Sequence, residues 1–579
     1  MKKFIIFISV FLPGFLNSAS AHDRDFSEFD YDQKLEDFHW VVGQIDEYYG
    51  LMDYKEKRFN FSWDDLKTQA WNAIAFPTVD RTQFQNIVQG LVARLSDAHT
   101  SVHLMRDYMM NGAYRYATPG FTTRRTPYGI AISHLFVKFF GKDTSSAPVQ
   151  VGDIIVSING KTPEEVIASD ITSHRNLGND QSNLTMGAYF LTLRQNTMFA
   201  DLPTGNLHLV LARGEKEITV DLPWHTLNLE DLAAPESQGQ TRTIRTKIRK
   251  VIDSKTVIAE FEKSSLPNEL TVAASYSGLK EFKGRILENP DVLSASKLKF
   301  AAGMDYPGAP LNQTFNGLPF TLVPTKGGLV AIYRVEDFEA SREVCEQPAW
   351  QGPLGSAVCH VLKGEDYATA FAQLKGWGVN KLILDLRQNG GGALDYGYEL
   401  VRAFQKEKFP LNLASLRLNE EWVSQFKYYA EWPGMPIYWQ DSFKKTFDIL
   451  QKDIADGKKF STPVGILGMD KMDGVENAWD GKTYILADEM CASMCDIFTT
   501  LMQDLKVATF IGTRTMGAGG NIIDVGKSPR TKIALNLTAS RILRLNGDSI
   551  ENVGATPDVE AKDSFAYWPI VLSFISADQ

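Results

Sequence analysis

The chain has 579 residues, enough for about three or four folded units at roughly 100–200 residues each, and for an ample core without metal or disulfide staples. Apolar residues make up 44% and charged residues 22%, with the two signs mixed along the chain, which argues against intrinsic disorder. A balance of 60 Lys and Arg against 70 Asp and Glu gives a net charge of −10 with no long basic run, so neither nucleic acid nor an anionic membrane surface is expected as the main partner.

Lys2 and Lys3 precede an apolar run from Phe4 to Leu16, and Ala19-Ser20-Ala21 follows. A short basic start, an apolar stretch too short for a bilayer and small residues at a cut site describe a secretory signal peptide over residues 1–21. No Cys near the cut offers a lipid anchor, and no later stretch is long and apolar enough to span a membrane. An exported protein, periplasmic or secreted, is expected, with no integral membrane segment in the mature chain.

Residues 22–125 read as a helical N-terminal domain, with the helical pattern running from Tyr31 to Leu104. Its best helix carries Phe84, Ile87, Val88, Leu91, Val92 and Leu95 on one face, with Asp80 and Gln83 as a start signal. An earlier helix starts at Ser62 and Asp65, runs through Leu66, Ala70 and Ile74, and stops at Pro77. Residues 126–225 change to β patterning: Gly129 to Ile132, Val151 to Gly160 closed by an Asn-Gly turn, and alternating strands near Leu207 to Leu211 and Ile218 to Leu222. The run VGDIIVSINGKTPEEVI resembles the centre of a PDZ domain, a fold that binds an extended peptide as an added strand. A small β domain without a ligand is the alternative. Residues 226–320 hold a charged stretch (Arg242 to Lys250) and no motif; a linker, an insertion or a segment that inhibits a precursor all fit.

From 321 to 579 strands and helices alternate, which predicts an α/β domain with its active groups beyond strand ends. The strand Lys381 to Leu386 runs into Arg387-Gln388-Asn389-Gly390-Gly391-Gly392. Three glycines at a helix start let backbone amides approach a ligand, which suits an oxyanion hole; no Lys-Ser/Thr follows, so the phosphate-binding loop pattern fails. A plain strand-to-helix turn is the bland alternative. Ser493, in Cys491-Ala492-Ser493-Met494-Cys495, falls at a second strand-to-helix turn, where its hydroxyl is exposed as a nucleophile, with the Met494 amide beside it, or else caps the helix. His99, in Ser96-Asp97-Ala98-His99-Thr100, and Glu551, in Ile550-Glu551-Asn552-Val553-Gly554, are uninformative alone.

Together these segments, in this order, resemble the tail-specific and tricorn-type serine peptidases, the group that includes the C-terminal processing proteases. The resemblance covers most of the mature chain, including LDLRQNGGG, CASMCDIFTTLMQDLKVATFIGTRTMGAGGN and IENVGATPD. It implies a multidomain α/β (α+β) fold: a helical N-terminal segment, a PDZ-like β domain and a C-terminal α/β protease domain of the crotonase-like, tail-specific type. The processing branch pairs its serine with a lysine, and Ala518 stands where that lysine would be. The branch that includes tricorn and a chlamydial secreted protease uses Ser, His and Glu, and its Asp-x-His-Thr segment and late Glu match Asp97 to Thr100 and Glu551. Ala98 stands where tricorn-like members carry a serine before the histidine.

The resemblance thus implies an exported serine endopeptidase with Ser493, His99 and Glu551 as triad, the amides of Gly391 or Gly392 and of Met494 as oxyanion hole, and a protein or peptide substrate. It implies no cofactor and no metal, and is compatible with a homodimer. The alternative is a non-catalytic binder of peptides or hydrophobic ligands on the same fold. Of the four cysteines, Cys345 and Cys359 bracket a loop that a disulfide could close. Cys491 and Cys495 are read as small packing residues, because an i,i+4 pair within a helix is poorly placed for bridge geometry; a disulfide is the rival reading.

Overall fold

The structure, a computed structural model, describes residues 29–104, 115–141, 144, 146–199, 201–228, 246–253, 256–261, 311–325, 328–338, 363–433, 437–465 and 468–561. The leader expected at 1–21 and the pair Cys345 and Cys359 lie outside these residues. Among those described, no helix is long and apolar enough to cross a membrane.

Four helices open the fold: α1 (Tyr31–Tyr48), α2 (Met52–Phe59), α3 (Trp63–Ile74) and α4 (Arg81–Ala93). The start of α4 is a reciprocal cap: Asp80 Oδ1 accepts the Gln83 amide at 2.8 Å and Gln83 Oε1 accepts the Asp80 amide at 3.0 Å. Ser62 Oγ caps α3 by accepting the Asp65 amide at 3.2 Å. Phe84, Val88, Leu91 and Val92 bury the expected face of α4.

The helical pattern does not persist to Leu104. Ser96 turns the chain out of α4 at φ 52°, and Ser101–Leu104 is a strand paired antiparallel with Ile533–Thr538 (Ser101 opposite Asn536). The cause is local: Asp97 Oδ1 accepts the amides of His99 at 2.8 Å and Thr100 at 3.2 Å, offering the backbone an alternative to helical bonds. That pairing carries the His99 loop onto the C-terminal half of the chain.

A five-stranded antiparallel sheet follows, ordered Phe121–Thr126, Gly129–Leu135, Ile154–Ile158, Asn206–Arg213 and Lys216–Pro223. Asn159 and Gly160, at φ 50° and 80°, make the expected tight turn, with Ile158 and Lys161 exchanging both backbone bonds. The backbone then forms a hairpin, Thr246–Asp253 with Thr256–Phe261.

The C-terminal half is built on a seven-stranded sheet ordered Leu311–Phe315, Leu318–Thr325, Gly328–Arg334, Val379–Asp385, Lys482–Ala487, Thr509–Gly512 and Val559–Glu560, parallel from Gly328–Arg334 onward. It begins at Leu311, upstream of the boundary expected at 321. The strands Val379–Asp385 and Lys482–Ala487 are neighbours in parallel register, Asp385 opposite Leu486. Their carboxyl ends, from which the Gly-rich run and Ser493 emerge, therefore lie side by side in the middle of the sheet, at the strand ends where α/β folds place ligands.

Candidate active site

After Lys482–Ala487 the chain turns sharply into the helix Met494–Asp504, and Ser493 sits at the turn with φ 58° and ψ −126°. A residue with a Cβ occupies that region only under constraint, a strain characteristic of functional turns. Ser493 is half-buried, and its side chain makes no capping bond. The hydroxyl is not spent on the helix, which counts against the capping alternative. The Ser493 amide donates to the Ala518 carbonyl at 2.8 Å.

Gly391 comes against this turn. At φ 105°, a Cβ on it would lie 2.5 Å from Ser493 Cβ, 2.7 Å from the Ala492 oxygen and 2.8 Å from the Met494 nitrogen, so only glycine fits. Its amide donates to Asn389 Oδ1 at 2.8 Å. That engagement spends the Gly391 donor and leaves Gly392 and Met494 as the amides to consider for an oxyanion. Gly392, at φ 139°, backs onto Phe338, whose oxygen would be 2.3 Å from an added Cβ. Asp488 Oδ1 joins the two turns by accepting the amides of Gln388 at 2.9 Å and Met490 at 3.1 Å.

Cys491 and Cys495 are joined by a disulfide, with Cα atoms 5.3 Å apart. The packing reading is thus corrected. Because the helix starts only at Met494, Cys491 lies on the turn rather than one helical turn below Cys495, and the turn brings the two Cα atoms within the usual bridging range. The bridge clasps Ser493 between its ends. Cys491→Ala/Cys495→Ala is expected to lower unfolding free energy by about 2 kcal/mol, near the lower end for a short loop, as measured by denaturant unfolding.

His99 is buried on the loop after α4. Burial pushes its imidazole down to about 4, with Arg175 and Lys55 reinforcing the shift and Asp97 and the neighbouring Gly520 backbone opposing it. The ring is therefore neutral at pH 7, the form a general base requires. Asp97 is saturated: besides the two amides it accepts Thr538 Oγ1 at 3.0 Å, Tyr49 Oη at 2.9 Å and Thr100 Oγ1 at 2.9 Å. Against the upward push of burial, Lys55 and His99 hold its carboxyl below the usual range. Asp97 builds the loop that presents His99, and has no lone pair to spare for a relay.

Glu551 is 1% exposed, and its Oε1 pairs with Lys55 Nζ at 2.6 Å. Oε2 is buried with no hydrogen-bond partner among the described residues. Burial lifts the carboxyl to about 7 against the pull of Lys55, with Asp97 raising it further. Glu551 thus differs from Asp97 in keeping acceptor capacity, and unlike a surface carboxylate it is a buried one whose protonation is opposed by a directly bonded ammonium.

One short segment, Gly517-Ala518-Gly519-Gly520, touches all three. Ala518 accepts the Ser493 amide, the Gly520 backbone neighbours the His99 ring, the Gly519 amide faces the Glu551 carboxyl, and Gly517 accepts the Asn552 amide at 2.7 Å. Ala98, Ala492 and Ala518 belong to one buried apolar cluster. Asp496, in the first turn of the serine helix, fixes the segment by accepting the amides of Gly517 at 3.0 Å and Ala518 at 2.8 Å. Sequence reasoning missed Lys55, Tyr49 and Asp496. Lys55 lies in the strongly charged run Met52 to Phe59, which reads as a solvated helix, and nothing local marks it.

Residues 331–561 match the profile of peptidase family S41. This part of the chain is a family S41 peptidase domain. The enzyme class is accordingly serine-type peptidase. An uncharacterized protein of Chlamydia muridarum is 24% identical over 573 residues, covering 91% of this chain and 88% of that one. A Chlamydia pneumoniae protein is 22% identical over 612 residues, covering 97% and 90%. In fold the chain is similar to mature CPAF complexed with lactacystin, with a TM-score of 0.66 at 16% identity over 94% of this chain and 97% of that one, and to mature CPAF alone, with 0.65 at 17% over 94% and 96%.

Proposed function

We propose that this S41 domain is the catalytic unit of an exported endopeptidase that works through Ser493, His99 and Glu551. His99 takes the Ser493 Oγ proton as Oγ attacks the peptide carbonyl, and the imidazolium returns it to the departing amine, leaving an acyl-enzyme. Water, deprotonated by His99, then attacks the ester and regenerates the serine. Glu551 orients the imidazole and stabilises its cationic form. The amides of Gly392 and Met494 receive the oxyanion; the Met494 amide is in the first helical turn, where no intrahelical partner exists. The leader-like residues 1–21 support export, and the five-stranded β domain is read as the PDZ-like unit that presents substrate.

The observation that carries the reading is the convergence of Ser493, His99 and Glu551, from three distant stretches, on residues 517–520. Parallel assays on peptide and ester substrates test it. The expected result is internal peptide cleavage that falls about 10⁴-fold in His99→Ala; ester turnover without peptide turnover would contradict it.

A further inference from the structure

The ammonium of Lys55 occupies the centre of the buried region between the two loops that carry His99 and Glu551. Its side chain is fully buried, and its three N–H groups have three acceptors: the Ser96 carbonyl at 2.8 Å, Glu551 Oε1 at 2.6 Å and Asn552 Oδ1 at 2.6 Å. Ser96 lies three residues before His99, whereas Glu551 and Asn552 belong to the acid loop. Asn552 Nδ2 reinforces the junction by donating to the same Ser96 carbonyl at 2.8 Å. With every donor used and no exposure, Lys55 has nothing left to offer a substrate.

We propose that Lys55 is a positioning residue for the peptidase reaction: its ammonium keeps Glu551 ionised and in place, and locks the acid loop to the histidine loop. The proposal rests on the reading of Glu551 as the acid of the relay. A carboxylate buried without a counter-ion takes up a proton rather than bear the desolvation cost, and a protonated Glu551 cannot stabilise an imidazolium. Of the charged groups facing Glu551, Lys55 is the one bonded to the carboxylate; the Gly519 amide helps it oppose protonation. From α2 come Lys55, Tyr54, whose hydroxyl donates to the Glu551 carbonyl at 2.5 Å, and Arg58, whose guanidinium donates to the Asn552 carbonyl at 3.0 Å. Arg514 donates to that same carbonyl at 3.2 Å. Tyr49 and Asp97 face it from the α1 end and the histidine loop, with His99 beyond. Asp97 has the same sign as Glu551 and pushes toward protonation, so Lys55 is the cation bonded directly to the carboxylate.

The test is kcat/KM against pH for the full chain, its Lys55→Met and Glu551→Gln variants, and the double variant. In Lys55→Met the acid limb should move up by a pH unit or more. At pH 7 kcat/KM then drops about fivefold for the first unit of that movement and about tenfold for each further unit, KM is unchanged, and the deficit closes as the pH is raised. In the double variant the loss should equal that of Glu551→Gln alone, because Lys55 acts through a carboxylate no longer present. If Lys55→Met does not fold, the double variant, which lacks both buried charges, still gives this comparison. A wild-type acid limb in Lys55→Met, or single losses that multiply in the double variant, would overturn the proposal. Wild-type turnover in Glu551→Gln would instead overturn the relay reading, and this proposal with it.

Discussion

Ser493→Ala is expected to leave the protein folded and to reduce peptide turnover by about 10⁴- to 10⁶-fold, the range seen when a triad nucleophile is removed. The two halves of that expectation have separate causes. The hydroxyl makes no capping bond to the helix Met494–Asp504, so deleting it should change stability by no more than about 0.5 kcal/mol. The backbone strain at φ 58° is the same for alanine as for serine. The chemistry, in contrast, loses the atom that bonds to the substrate carbonyl. Turnover and thermal unfolding measured on the same preparation check both, and a stable variant that still cuts peptides would remove Ser493 from the mechanism.

The second large effect is expected at Gly391. In Gly391→Ala the new methyl group would start 2.5 Å from Ser493 Cβ and 2.8 Å from the Met494 nitrogen, backbone and near-backbone atoms that cannot swing aside. The serine turn or the glycine run must shift, displacing the nucleophile relative to the amides that receive the oxyanion. A loss of about 10²- to 10³-fold in kcat is expected, comparable with removing one oxyanion donor, together with about 1–3 kcal/mol of stability from the positive φ. Gly378→Ala supplies the control. It also has a positive φ, 81°, but its Cβ would meet nothing within 4 Å, so it should lose stability while keeping kcat. Equal kcat in the two variants, measured under saturating peptide, would mean that the contact between Gly391 and the serine turn does not matter to catalysis.

What could be read from the sequence was what is decided locally. The caps at Ser62 and Asp80, the Asn159-Gly160 turn and the two strand-to-helix turns at the carboxyl ends of adjacent strands depend on a few neighbouring residues, and each is formed. The strand Ser101–Leu104 was misread because its pairing partner lies more than four hundred residues away, at Ile533–Thr538. The disulfide was misread for a different reason: treating Cys491 as helical ignores the turn at Ser493 that brings it over Cys495. Lys55 was invisible because its acceptors come from two other loops, and nothing in a charged run tells an interior lysine from a solvated one. The absent lysine at Ala518 had a positive counterpart in the structure. The Ala518 backbone holds the serine turn from one side and accepts positioning from Asp496 on the other.

Ser493, His99 and Glu551 are proposed to act as one unit around residues 517–520. That proposal is tested most directly by reacting the folded protein with a fluorophosphonate and mapping the adduct by peptide mass. A single adduct on Ser493 is expected, formed far more slowly in His99→Ala and in Glu551→Gln although both variants stay folded. An adduct on another residue, or labelling of Ser493 at the same rate in all three proteins, would contradict it.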